Sequence, residues 1–137
     1  MLIVDSQVHI WGADTPERPW LTVWNQPHWP VPFSREDLVR EMEGAEVHHA
    51  VIVPPSWEGD RNDLALEAAR LHPDRFAVMG RITIESPESR GLMAAWRHQP
   101  GMLGIRLIFG GRIFSGYSRK ATPTGFGLRR SRPGCRL

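Results

Sequence analysis

Four short apolar runs constrain this chain more than any other feature. They span residues 2–12, 47–53, 76–82 and 102–108. In the first of them Ile3, Val4, Val8 and Ile10 are β-branched and apolar, as in a strand covered on both faces. Between them lie stretches with helical signatures. Ser34 is a good N-cap, with Asp37 three residues on and Leu38, Val39 and Met42 forming an apolar stripe that ends at Gly44. Leu64, Leu66, Ala68, Ala69 and Leu71 carry a second helix to His72-Pro73. Ser86-Pro87-Glu88 opens a third, which runs through Leu92, Met93 and Trp96 to Gly101. The order βαβαβαβ means an α/β fold, a parallel sheet with right-handed crossovers. Two architectures satisfy it: a doubly wound sheet, or the first half of a (β/α)8 TIM barrel. A dinucleotide fold needs a glycine-rich turn after its first strand. Here that turn reads His9-Ile10-Trp11-Gly12, which disfavours it.

The first run ends in polar groups. Asp5, Gln7 and His9 recur every second residue, so an unbroken strand would point all three to one face. A carboxylate, an amide and an imidazole on a buried strand are costly without partners, a metal or a substrate. His48 and His49 also invite a metal reading. As neighbours in a strand they point to opposite faces, so they are read as structural or exposed. The segment 13–33 holds five prolines with Trp20, Trp24 and Trp29, which excludes a regular helix. Its tryptophans and His28 either line a pocket over the end of the first strand or pack the loop down.

No run of apolar residues is long enough to span a membrane, and no secretory signal is recognisable. The single cysteine, Cys135, allows no internal disulfide and points to a reducing, cytoplasmic compartment. The net charge of +2 hides a split: all fifteen Asp and Glu lie within residues 1–88, and residues 89–137 hold nine Arg and one Lys. Residues 110–137 show no helical period and no acid, and are rich in Gly, Arg, Ser, Thr and Pro. Three readings compete for them: a basic arm for nucleic acid, a flexible linker, or an out-of-frame translation of a GC-rich gene. A basic arm would be rich in Lys as well as Arg, and Lys120 is the one lysine here, which favours the third over nucleic-acid binding.

The runs also resemble a family. Ile3-Val4-Asp5-Ser6-Gln7-Val8-His9-Ile10-Trp11, Val51-Ile52-Val53-Pro54-Pro55-Ser56, Asn62-Asp63, His72-Pro73-Asp74-Arg75-Phe76 and Gly101-Met102-Leu103-Gly104-Ile105-Arg106-Leu107 are similar in order and spacing to the N-terminal part of the amidohydrolase-related (amidohydrolase 2) proteins. These are TIM-barrel metal-dependent hydrolases, and relatives include lactonases and ring-acid decarboxylases. The resemblance covers roughly residues 1–109. It implies a partial barrel of about four βα units followed by a basic tail over 110–137. It implies a parent activity on a small cyclic ester or amide, or on a ring acid, with a small carboxylated or lactone substrate.

In that family the first strand usually ends His-x-His, holding a divalent metal such as zinc or manganese. Here the first position is Gln7, a weak zinc ligand, so the resemblance leaves both a His9-held metal and a metal-free course open. Sites in such barrels lie at the C-terminal ends of the strands. Gln7 and His9 are therefore the catalytic candidates, and Trp11, Ser56, Arg81 and Arg106 the substrate-binding ones. Arg81 and Arg106 suit a ring carboxylate, or they pair with Asp5, Asp60 or Glu85. Ser56 either meets substrate or caps the next helix. A closed barrel takes about 250 residues. The expectation is that four units alone are inactive and self-associate through an open sheet edge. The alternative is a non-catalytic binding module with a nucleic-acid-binding tail.

Overall fold

The computed structural model describes residues 1–21, 27–84 and 86–107. Trp24, Glu85 and the basic tail lie outside the described residues. Four strands, β1 (Val4–Val8), β2 (His49–Ile52), β3 (Phe76–Gly80) and β4 (Met102–Ile105), form one sheet in the order β1-β2-β3-β4. Every pairing is parallel. Three helices connect them: α1 (Arg35–Gly44), α2 (Asp63–Leu71) and α3 (Ser89–Ala95). Short 3-10 turns at Ser56–Glu58 and Trp96–His98 follow β2 and α3.

Local chemistry explains the helix starts. Ser34 and Asp37 form a reciprocal capping box, each side chain taking the other's backbone N–H. The Ser34 backbone bond foremost, then Arg40, lowers the Asp37 carboxyl to about 2. The third helix starts at Ser89, three residues later than Ser86 predicts, and it tightens into the 3-10 turn at Trp96.

Right-handed crossovers between successive neighbours put all the helices on the same face of the sheet. That face is the core. Ala50 and Ile52 from β2, Phe76 and Val78 from β3, and Met102 from β4 meet Leu38, Met42, Ala65, Ala68 and Trp96. Ile52 and Val78 are wholly buried, each contributing roughly 1.5–3 kcal/mol over exposure. The alternate residues Val51, Ala77 and Met79 remain half-exposed on the other face.

β1 corrects two expectations. It is not buried on both faces: Val4 is 53% exposed, because β1 is an edge whose described partner is β2 alone. Nor does its alternation run unbroken. Asp5 stands in register with Ala50 and Val8 with Ile52, so three residues of β1 span two of β2. Asp5 is thereby out of step with Gln7 and His9, and its carboxylate accepts the Gln7 backbone N–H at 3.1 Å.

Candidate functional site

The uncovered face at the C-terminal ends of the strands brings together Gln7, Arg81 and Arg106, whereas His9 and Trp11 line a separate cleft beside β1. Val8 packs toward the core, so its neighbour Gln7 projects from the opposite face. At the far edge of the sheet, Ile105 stands in register with Gly80 and packs on the core, which sends Arg106 to that same opposite face. The Arg106 Nη1 donates to Gln7 Oε1 at 2.6 Å, joining residues 99 apart in sequence. Two edge strands three spacings apart lie roughly 14 Å from each other in a flat sheet. The side chains meet only by lying across β2 and β3 on the face without helices.

Arg81 follows β3. Its backbone N–H donates to Asn62 Oδ1 at 2.7 Å, and Asn62 Nδ2 returns a bond to Arg81 O at 2.9 Å. Its Nε donates to Gly59 O. Burial foremost pulls the Arg81 pKa below its ordinary value; Asp60 opposes this, and the nearby charge of Arg106 adds to it. The guanidinium stays charged regardless. Among the described residues, neither Arg81 nor Arg106 has a carboxylate within ion-pair distance. Asp60 instead accepts the Thr83 backbone N–H, and Asp5 is engaged with Gln7.

His9 lies half-buried after β1, its Nδ1 2.6 Å from Val53 O. A carbonyl oxygen only accepts, so in the neutral ring Nδ1 carries the proton and Nε2 keeps its lone pair. The ring meets Trp57 edge-on at 6.2 Å, and Trp57 meets Trp11 at 5.7 Å. Trp11, His28, Trp29 and Phe33 line, with His9 and Leu38, a cleft of about 650 Å³ beside β1. Both readings of the tryptophans therefore hold in part. Trp29 is 62% exposed at the cleft, whereas Trp20 pins the loop by donating to Gly12 O. Ser56 opens the 3-10 turn, and the residue before α2 is Asn62, so Ser56 does not cap that helix. His48 is exposed at the opposite end of the sheet, where its ring accepts the Ile3 N–H.

The donor set does not fit a divalent metal. Gln7 Oε1, at the position of the expected first ligand, is occupied by a guanidinium, whose charge opposes a cation there. Among the described residues no group of three His, Cys, Asp or Glu is placed to hold an ion.

Sequence reasoning missed the network that holds the loop after β1. Glu58 is buried, accepting the Gly12 N–H at 2.8 Å and Arg18 Nε at 2.9 Å. Arg18 then grips Asp63 with both terminal nitrogens. The one available signal was a carboxylate directly after Trp57, in a segment joining a strand end to a helix. Among the described residues no helix is long and apolar enough to cross a membrane.

No family model matches the chain, and no curated protein does. Among solved structures it is similar to a probable 2-pyrone-4,6-dicarboxylic acid hydrolase from Acinetobacter baumannii, solved with citric acid bound. The TM-score is 0.59 at 22% identity, over 78% of this chain and 38% of that one. A second similar structure, an apo protein from Agrobacterium tumefaciens, has a TM-score of 0.48 at 23% identity, over 76% of this chain and 36% of its own. This chain therefore spans well under half the length of either. The first likeness, with the parallel β1-β2-β3-β4 order, makes the fold a partial (β/α)8 barrel of the kind found in that hydrolase.

Proposed function

We propose that the uncovered face binds a small carboxylated ring, and that these residues belong to an amidohydrolase-type hydrolase acting on a cyclic ester or amide. The observation that carries this reading is the pair Arg81 and Arg106. Two guanidiniums stand at adjacent strand ends without a carboxylate partner among the described residues. Such a pair favours an anion able to take bidentate hydrogen bonds. Gln7 orients Arg106 toward it. His9, with Nε2 free to accept, takes a proton from the water that attacks the ring carbonyl; the ring C–O bond then breaks to a hydroxy acid. The hydrolase named for the similar Acinetobacter structure supports the same reaction class. A ring-acid decarboxylation is the neighbouring chemistry, but the lone pair on His9 suits hydrolysis better.

The proposal includes that the 137-residue chain binds such a ring without turning it over, because its four βα units carry the residues of only the first half of a barrel site, and a second copy would repeat the same half. Calorimetric titration of the full chain with 2-pyrone-4,6-dicarboxylate tests it. Charge-assisted bonds contribute about 1.5–3 kcal/mol each, so Arg106→Ala should weaken binding about ten- to a hundredfold. Absence of binding by the wild type, or wild-type affinity in both Arg106→Ala and Arg81→Ala, overturns the anion site. Ring opening by the purified chain overturns the predicted inactivity.

A further inference from the structure

We propose that two copies of this chain close on each other, the free edge of β1 in one pairing with the free edge of β4 in the other. Among the described residues β1 pairs only with β2, and β4 only with β3. Within the described residues each outer edge therefore leaves backbone N–H and C=O groups open to a further strand. Both edges are also apolar. Leu2, Ile3 and Val4 are exposed at the β1 edge, and Leu92, Met93 and Leu103 at the β4 side.

The two sides carry opposite charge. Residues 34–46, on the β1 side, hold five carboxylates against two arginines. Residues 86–103, on the β4 side, hold Arg90, Arg97 and His98 against Glu88 alone. Docking β1 on β4 of a second copy sets acidic against basic. Docking β1 on β1 sets acidic against acidic, and is disfavoured.

Strand direction then fixes the symmetry. All strands within the chain are parallel. A parallel β1–β4 junction made twice requires a two-fold axis running along the strands, which uses both edges of both copies and leaves none free. An open head-to-tail array leaves an edge at each end.

Sedimentation velocity on the full chain reads this out. The expected result is one species of twice the chain mass, dissociating as salt rises. Val4 and Leu103 are 53% and 54% exposed, so charge is tolerated there in the free chain, and circular dichroism checks that each variant folds. Val4→Lys and Leu103→Glu should each halve the mass. Mixing the two variants should restore the dimer, because the new lysine meets the new glutamate at one junction and the other junction is unaltered. A monomeric wild type, an open-ended ladder of oligomers, or a Leu103→Glu variant that remains dimeric overturns the proposal.

Discussion

Glu58 is 3% exposed, with one carboxylate oxygen on the Gly12 backbone and the other on Arg18. Asp63, at the other end of the same guanidinium, is mostly exposed. The bond to Asp63 foremost raises the Arg18 pKa; burial opposes this, and Glu58 adds to the rise. The two carboxylates nevertheless differ in what their loss costs. Removing Glu58 leaves the Arg18 Nε and the Gly12 N–H without their buried acceptor, so Glu58→Ala should lose about 3 kcal/mol in urea unfolding. Removing an exposed partner costs much less: Asp63→Ala should lose under about 1 kcal/mol. Equal shifts for the two variants would show that burial does not set the weight of this network. The loop it holds carries Trp11, and Trp11 and His9 both meet Trp57. The network therefore acts on the candidate site through packing.

At the scale of elements, β4 depends on one turn. Gly101 has φ of +81°, and a Cβ placed there would lie 2.6 Å from the Ala69 Cβ of α2. Its carbonyl also receives the Val78 N–H of β3. Left-handed backbone and steric overlap both act against a side chain, so Gly101→Ala should destabilise by more than about 2 kcal/mol. Gly44, in α1, is the control: a Cβ there meets nothing within 4 Å. Gly44→Ala should stabilise by about 0.5–1 kcal/mol. Thermal or urea unfolding of the pair checks both signs. The order and number of these elements were legible in the sequence, because caps, prolines and apolar period act within a few residues of each other. The bulge in β1 was not. Asp5, Gln7 and His9 follow a two-residue period, but register is decided by the partner strand, and β2 sets Asp5 against Ala50 and Val8 against Ile52.

At the scale of the whole molecule, acid should unfold this chain in a defined range. Among the described residues four carboxyls have lowered pKa values. Glu36 is lowered foremost by a backbone hydrogen bond, Asp37 by the Ser34 backbone, Asp63 by Arg18 and Glu88 by Ser86. A carboxyl lowered on folding adds stability above its unfolded value, and that stability is lost as pH falls toward the folded value. The ordinary values are 4.5 for Glu36 and Glu88 and 3.8 for Asp37 and Asp63, and Asp37 reaches about 2. The melting temperature should therefore fall between about pH 4.5 and about pH 2, with a shallower fall in Asp37→Asn. A flat melting temperature over that range would contradict the assignment. The sequence by itself determined that the chain is α/β with four strands in parallel, because that property is written in local periodicity; the strands end earlier than the apolar runs do, β1 at Val8 and β4 at Ile105. It also marked Gln7, Arg81 and Arg106 as strand-end polar groups. Only the tertiary structure decided that Gln7 and Arg106 meet, that Glu58 is buried and that β1 is exposed. Each of these depends on what stands opposite a residue across the sheet or beyond its edge, and no pattern within one segment carries that information.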